Sequence, residues 1–311
     1  MSTLLEEPGV VVGAVEERRR TVWSILRERP ATLVGLTVLS AFVLIAILAP
    51  VIAPSRVHER VGSTFDPPSP GHPLGLDDGG IDILSLLMHG ARASLLVGFG
   101  STAIAIFLGS VVGIVAGYFG GRTDMVAMRV TDYFLVIPDV PLMIVIAAIW
   151  GQSLWHIILI IGLLLWTWTA RVIRAQVKSV RERVYVKRAR ALGAGHLHTV
   201  LRHVLPQIAP LIVANIVLTI AVAIFNETAL AYLGLSDPSV ISWGKMIKNA
   251  TDASAVSAGA WWAIVPPGVC VALVILSCTL IGQALEDALN PRLRVSFLAA
   301  RGFRIRRPEQ G

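Results

Sequence analysis

The sequence predicts an all-α, polytopic membrane protein with six transmembrane helices and both termini in the cytosol. Three observations carry that fold class. Of 311 residues, 55% are hydrophobic and only 15% charged, with a mean hydropathy of +0.71, whereas soluble domains carry roughly a quarter charged residues. The apolar residues gather into runs of the roughly twenty residues needed to cross a bilayer. The basic residues sit in short blocks beside those runs, so the net charge of +7 reads as membrane topology and not as a nucleic-acid surface.

Six runs qualify: about 32–53, 94–118, 126–150, 154–171, 208–233 and 261–285. With the amino end inside, the segments assigned to the cytosol hold 22 of the 27 Lys and Arg residues, as the positive-inside rule requires. Residues 1–31 then form a cytosolic tail containing Arg18, Arg19 and Arg20. The first span and an extracytoplasmic loop occupy 32–93, the remaining five spans 94–290, and a basic cytosolic tail 291–311. The first apolar run is longer than a secretory signal's core, which predicts a retained span. Rich in Pro, Gly and Asp, the loop that follows reads as an extended cap on the outer face.

The second span carries Ala105, Gly109, Gly113 and Gly117 at every fourth position, a small-residue face that lets another helix approach closely. Pro138 and Pro141 interrupt the third span and predict a kink or break around 137–141. Before that break Asp132 stands three residues from Arg129, a spacing that allows an ion pair near the inner surface. The fourth helix is expected to pass the membrane, with Trp166 and Trp168 at the interface and Arg171 and Arg174 beyond.

Between Arg171 and Arg202 lie nine basic residues and one carboxylate, Glu182. Within this loop, 171–207, the residues from 184 to 192 read as a short helix ended by Gly193. A second short helix is expected before Leu205 and Pro206, making a rigid knob. Pro206 and Pro210 then open the fifth span. Toward its outer end Glu227 is either an interhelical clamp, the reading favoured, or a point on a solute or proton pathway, because a carboxylate facing lipid is costly. In the last span Cys270 and Cys278 are separated by about 12 Å of helix, too far for a disulfide.

Sites for chemistry are absent from the sequence. Gly244 and Lys245 are followed by Met246 and lack the rest of a phosphate loop, and Gly98, Phe99 and Gly100 lie in a span and not after a strand. His196 and His198 fall in the basic loop without a metal-ligand pattern. The sequence therefore predicts no catalytic residues and no cofactor or metal in this chain. A membrane-embedded enzyme would need convergent catalytic groups, and an ion-gradient-driven secondary transporter would show paired broken helices in two related halves.

The loop resembles that of permease subunits of binding-protein-dependent ABC importers, which reads E-A-A, three residues, G, nine residues, I-x-L-P. Here Gly193, nine residues, and then His203, Val204, Leu205 and Pro206 keep the spacing, and Lys187, Arg188 and Ala189 fill the triad, reversing its first charge. Residues 72–85, beginning His72-Pro73-Leu74-Gly75, and 227–235, beginning Glu227-Thr228-Ala229, are similar to the second permease type of dipeptide, oligopeptide and nickel systems. Trp23 to Pro50, Ser242-Trp243-Gly244 and Asp287 to Arg292 follow the same branch.

The resemblance implies a type I ABC importer transmembrane domain over 94–290, one half of a pore for di- or oligopeptides or a similar solute. It also implies four partner components: a homologous second permease, two cytosolic ATPase subunits or domains that bind ATP and Mg, and an extracytoplasmic solute-binding protein. In the family the loop forms the helix that docks in the ATPase. Tyr185, Lys187, Arg188, Ala189, Ala191, Leu192, Gly193, His203, Leu205 and Pro206 stand at those positions here. Lys187 and Arg188 then face either a compensating acidic groove or solvent.

Overall fold

A computed structural model describes residues 30–53 and 59–289, all of whose regular structure is helical. Expectations for the amino-terminal tail, and for Asn290 onward, lie outside the described residues. Helix α1 spans Pro30–Ile52; Pro30 opens its first turn, where a missing amide hydrogen costs nothing, and Pro50 lies in its last turn. Val34, Ile47 and Val51 on it are exposed, a face suited to lipid, while its other side packs on α2 and α10.

Helix α2 spans Ile83–Phe119, about 55 Å at 1.5 Å per residue. It begins eleven residues before the expected span, so the last part of the outer loop, from residue 83, is helical and not extended. The cause is local. Asp82 caps the helix by accepting from Ser85 N at 2.8 Å and Ser85 Oγ at 2.9 Å, and Ile83, Leu86 and Leu87 are buried behind that cap.

After a turn, α3 covers Gly121–Val136 and α4 covers Asp139–Trp150, bent from each other by 83°. The break falls where the prolines predict it. Ile137 is extended, as the residue before a proline prefers. Pro141 falls in the first turn of α4, where its missing donor goes unused. Helix α5 spans Leu154–Arg181 and packs along α2. A loop carrying α6, Val184–Ala191, and α7, His196–Thr199, leads into α8, Leu205–Tyr232.

The fifth span departs from expectation at its start. The wide turn Val200–Val204 joins α7 to α8 without interruption, giving one helix over His196–Tyr232. The second short helix of the loop is thus the first part of the span. Proline explains the widened turn: Pro206 cannot donate to the preceding turn and its ring crowds the carbonyl four residues back. Leu205 N bonds instead to Val200 O, five residues back, the signature of a π-bulge.

Helix α9, Trp243–Asp252, was not legible as a helix within the segment expected to be an outer loop. Ser242 caps it, and Trp243, Met246 and Ala250 form its buried side. Helix α10, Val265–Leu289, closes the bundle against α8 and α1. Five of these helices are long and apolar enough to cross a membrane, and the bent pair α3–α4 makes up to six.

The core follows the helix pairs. At the α9 end, Leu86, Leu95, Ile224 and Trp243 pack together. Midway, Val97, Met143, Ile161 and Ala223 join α2, α4, α5 and α8. At the opposite end Tyr118, Ile173, Val177, Val180, Val186, Val204 and Ile208 form a third cluster, which seats the basic loop on the bundle.

Candidate functional site

The basic loop is built as a rigid knob. In α6 the Val186 side chain is fully buried, as is Val204 across the loop. Gly193 adopts φ +89°, Gly193 N bonds Arg190 O at 3.0 Å and Ala194 N bonds Ala189 O at 3.0 Å. That pair of bonds is a Schellman motif, and the positive φ is why glycine ends this helix.

Lys187 Nζ of α6, on a side chain 62% exposed, pairs across the surface with Glu182 Oε2 at 2.8 Å. Tyr185, Arg188 and Leu192 are exposed as well, Leu192 by 89%. Leu197 and Leu201 on the following helix are exposed as well. Ala189 is half-buried and Ala191 exposed. His203 stacks near Tyr185 and His198, Leu205 packs into the loop's core, and Pro206 is exposed. His196 bonds the Tyr118 hydroxyl through Nδ1 at 3.2 Å.

The small-residue face lies against α5. A Cβ at Gly109 would stand 2.6 Å from Trp166 O, at Gly113 2.7 Å from Ala170 O, and at Gly117 2.9 Å from Arg174 O. Ala105 is fully buried. The fit is reciprocal, since a Cβ on Gly162 of α5 would meet Ile104 Cβ at 2.7 Å.

Asp132 is paired, though with another residue than its helix neighbour. Arg171 Nη2 of α5 donates to Asp132 Oδ1 at 2.6 Å, and among the described residues no ion pair joins Asp132 to Arg129. Helix α5 runs beside α3, so an interhelical partner displaces the one three residues away. Sequence reasoning missed a stronger network about two turns earlier. Asp124 is buried and takes Arg174 Nη2 at 2.7 Å and Lys178 Nζ at 2.8 Å, with Arg174 Nε also bonded. The available signal was Arg174 and Lys178 four residues apart on one helix face.

Glu227 is buried in α8 and accepts from Ser94 Oγ of α2 at 3.2 Å. Ser94 Oγ in turn accepts from Trp243 N at 3.3 Å, so α2, α8 and α9 are tied at one point. In the outer cap His72 Nδ1 lies 3.1 Å from Asp82 Oδ1, and Trp262 Nε1 donates to Leu76 O at 3.3 Å. Cys270 and Cys278 are free thiols.

Where α3 and α4 diverge, a cavity of about 500 Å³ opens among α3, α4, α5, α8 and α10. Phe134, Pro138 and Trp168 give it apolar walls, while Asp139, Asn215 and Glu286 supply polar groups.

A helical bundle with several membrane-crossing helices, a broken helix beside a polar-lined cavity and a rigid basic knob at one end defines a multi-pass membrane permease. Comparison with known proteins narrows the class. Residues 109–295 match the model of the binding-protein-dependent transport system inner membrane component, and residues 18–68 match that of the N-terminal transmembrane domain of oligopeptide transport permease C. The dipeptide transport system permease protein of Alkalihalophilus pseudofirmus is 34% identical, over 88% of this chain and 90% of its own length. That of Bacillus subtilis is 31% identical, over 88% and 85%. A putative peptide transport system permease protein of Brucella suis is 35% identical, over 87% and 90%. The chain belongs to the binding-protein-dependent transport permeases, and it is an ABC importer permease of the cell membrane.

Proposed function

We propose that this subunit forms half of a pore importing di- or oligopeptides, with 184–206 as the contact to cytosolic ATPases and both termini in the cytosol. The exposed face of α6 carries the proposal. Tyr185, Arg188 and Leu192 present apolar surface and a positive charge on a helix that Val186 and the Gly193 cap hold in place. An exposed apolar patch of this kind marks an interaction site, and Arg and Tyr are the residue types that concentrate binding energy at interfaces. Lys187 is paired with Glu182 at the surface, and Arg188 adds a further exposed charge on the same helix.

The remaining parts follow from family and geometry. A homologous second permease supplies the other half of the pore, two ATPase subunits or domains bind ATP and Mg, and an extracytoplasmic binding protein delivers the solute. This chain hydrolyses nothing itself. The cavity at the α3–α4 break supplies part of the solute's path, its carboxylates and amide alternating with aromatic walls. Peptide cargo is supported by the relatives named above as dipeptide or peptide transport permeases.

The test is uptake of labelled dipeptide by sealed vesicles, with copurification of the ATPase. Arg188→Glu, Leu192→Asp and Gly193→Asp should each reduce both ATPase retention and ATP-driven uptake. Normal assembly and uptake in all three would remove the docking role. Uptake that persists without ATP and collapses with the proton gradient would instead identify an ion-driven transporter.

A further inference from the structure

The cavity of about 500 Å³ at the α3–α4 break has a one-sided chemistry. Its two charged lining residues, Asp139 at the start of α4 and Glu286 near the end of α10, are both carboxylates, and no Lys, Arg or His lines it. Arg171, beside the lining residue Val172, is engaged by Asp132. Asp139 Oδ1 accepts from its neighbour Val140 N at 2.9 Å, and neither carboxylate joins an ion pair among the described residues. The neutral polar group has the same sense. Asn215 lines the cavity at only 5% exposure, and its Nδ2 donates to Leu211 O at 2.9 Å. The atom left for a ligand is therefore Oδ1, which can only accept and takes no hydrogen bond among the described residues. Phe134, set edge-on to Trp166 with ring centroids 5.9 Å apart, and Trp168 supply aromatic walls.

We propose that this cavity selects cationic cargo: it takes the ammonium or guanidinium side chain of a basic peptide and disfavours an acidic one. The proposal rests on the peptide-import reading above and gives it a specificity, with Asp139 and Glu286 as the determinants. A carboxylate in an apolar span is costly where it faces lipid, so one placed at a helix break beside a cavity marks a solute or ion path. Two carboxylates of one sign within apolar walls concentrate a negative potential in the space between them. Aromatic faces add to it, because the π face of Trp or Phe attracts an ammonium or guanidinium within about 6 Å. Asn215 Oδ1 accepts an N–H from the same group. An acidic side chain would meet like charge at both carboxylates and at that oxygen. The volume suits a small ligand, since such pockets run from about 300 to 1,000 Å³.

The experiment is ATP-driven uptake by sealed vesicles carrying the whole transporter, with its binding protein saturated by labelled Ala-Lys, Ala-Gln or Ala-Glu dipeptide. Rates for Ala-Lys and Ala-Glu are divided by the rate for Ala-Gln and compared between variant and wild type, so the binding protein's own preference and any general loss of transporter cancel. Asp139→Asn and Glu286→Gln should each lower the Ala-Lys ratio about threefold, on the order of one partly exposed ion pair, and should raise the Ala-Glu ratio. Both side chains are exposed, so neither change disturbs the core. Asp139→Glu, which keeps the charge, should keep the order of the three rates. Asp252→Asn removes an exposed carboxylate of α9 outside the cavity and should leave both ratios unchanged. Ratios equal to wild type in both neutral variants, or an equal shift in the Asp252 variant, would overturn the proposal while peptide import stands. Absence of ATP-driven uptake of all three dipeptides by the wild type would instead bring down the peptide reading, and this specificity with it.

Discussion

Replacing Gly113 by alanine tests whether α2 and α5 are held together by backbone proximity. The added methyl would lie 2.7 Å from Ala170 O, 3.0 Å from Ile173 Cβ and 3.1 Å from Arg174 N. Two of the three are backbone atoms of a helix that cannot rotate them away, so α5 must move by several tenths of an ångström along a contact shared with Gly109 and Gly117. Overpacking of a tight contact costs about 1–3 kcal/mol. Gly268 of α10 provides the matched control: a Cβ there meets nothing within 4 Å, and alanine removes the conformational cost of glycine in a helix, worth up to about 1 kcal/mol. The two substitutions make the same chemical change in two membrane helices and should move stability in opposite directions. Unfolding of the purified protein in detergent, followed by circular dichroism, measures both. Gly113→Ala should lower the midpoint by several degrees while Gly268→Ala leaves it equal or raises it. A Gly113→Ala midpoint matching wild type would refute the close-packing argument, because the shift of α5 that relieves the contacts would then cost nothing.

Four further outcomes follow from the geometry. Asp124→Asn should destabilise more than Asp132→Asn, since Asp124 is buried with two cations whereas Asp132 and Arg171 are each 46% exposed, and exposed pairs contribute about 0–1 kcal/mol; a double-mutant cycle with Arg174→Ala measures the coupling directly. Glu227→Gln should be milder than Glu227→Ala, which leaves the buried Ser94 hydroxyl without its acceptor at about 1–3 kcal/mol, and denaturant midpoints compare the two. The Lys187 ammonium holds the Glu182 carboxyl below its usual range, so their contact persists above the ordinary glutamate pKa and disappears only as pH falls through the lowered one. Hydrogen exchange of 184–191, corrected for intrinsic pH effects, should accordingly rise on acidification past that range and stay level near neutrality. Finally, a cysteine at Leu192 should react with an impermeant maleimide only from the cytosolic side and one at Gly79 only from outside, which checks the orientation given by the positive-inside rule.

What the sequence made legible was whatever depends on local pattern. Apolar run length located the membrane helices, and two prolines three residues apart located the α3–α4 break, because both act through the backbone of their own segment. The Gly193 cap was legible for the same reason, since positive φ at a helix end is a local demand. Interhelical pairing was not. Asp132 has a plausible partner in its own helix, and only the packing of α5 beside α3 explains why Arg171 takes its place. Asp124 attracted no notice in sequence because its two partners lie 50 and 54 residues away. The α9 helix was hidden by its length: ten residues with three charges do not read as a span, and the bonds of Trp243 to Leu87 O and Ser94 Oγ show that the segment is seated on the bundle. The docking positions came from a motif. Their exposure, and the surface pairing of Lys187 with Glu182, needed the structure.

The docking face proposed above bears on how a push at the loop would reach the membrane. A force applied at Tyr185, Arg188 and Leu192 enters α6, whose only fully buried side chain, Val186, packs with Val177 and Val180 of α5 and with Val204 and Ile208 of the long helix that becomes α8. Because that helix runs unbroken from His196 to Tyr232, its displacement is delivered to the far end, where Glu227 ties it to Ser94 and α9. Helix α5 is tied to α2 by the glycine face and to α3 by Asp124. The weak points are the 83° break between α3 and α4 and the wide turn at Val200–Val204, a bulge that can absorb rotation without losing the helix. The first borders the cavity among α3, α4, α5, α8 and α10. Straightening the turn at Val200–Val204 by Pro206→Ala, which restores the missing donor, should therefore slow transport more than it weakens ATPase retention; equal effects on both would place the bulge in docking and not in transmission.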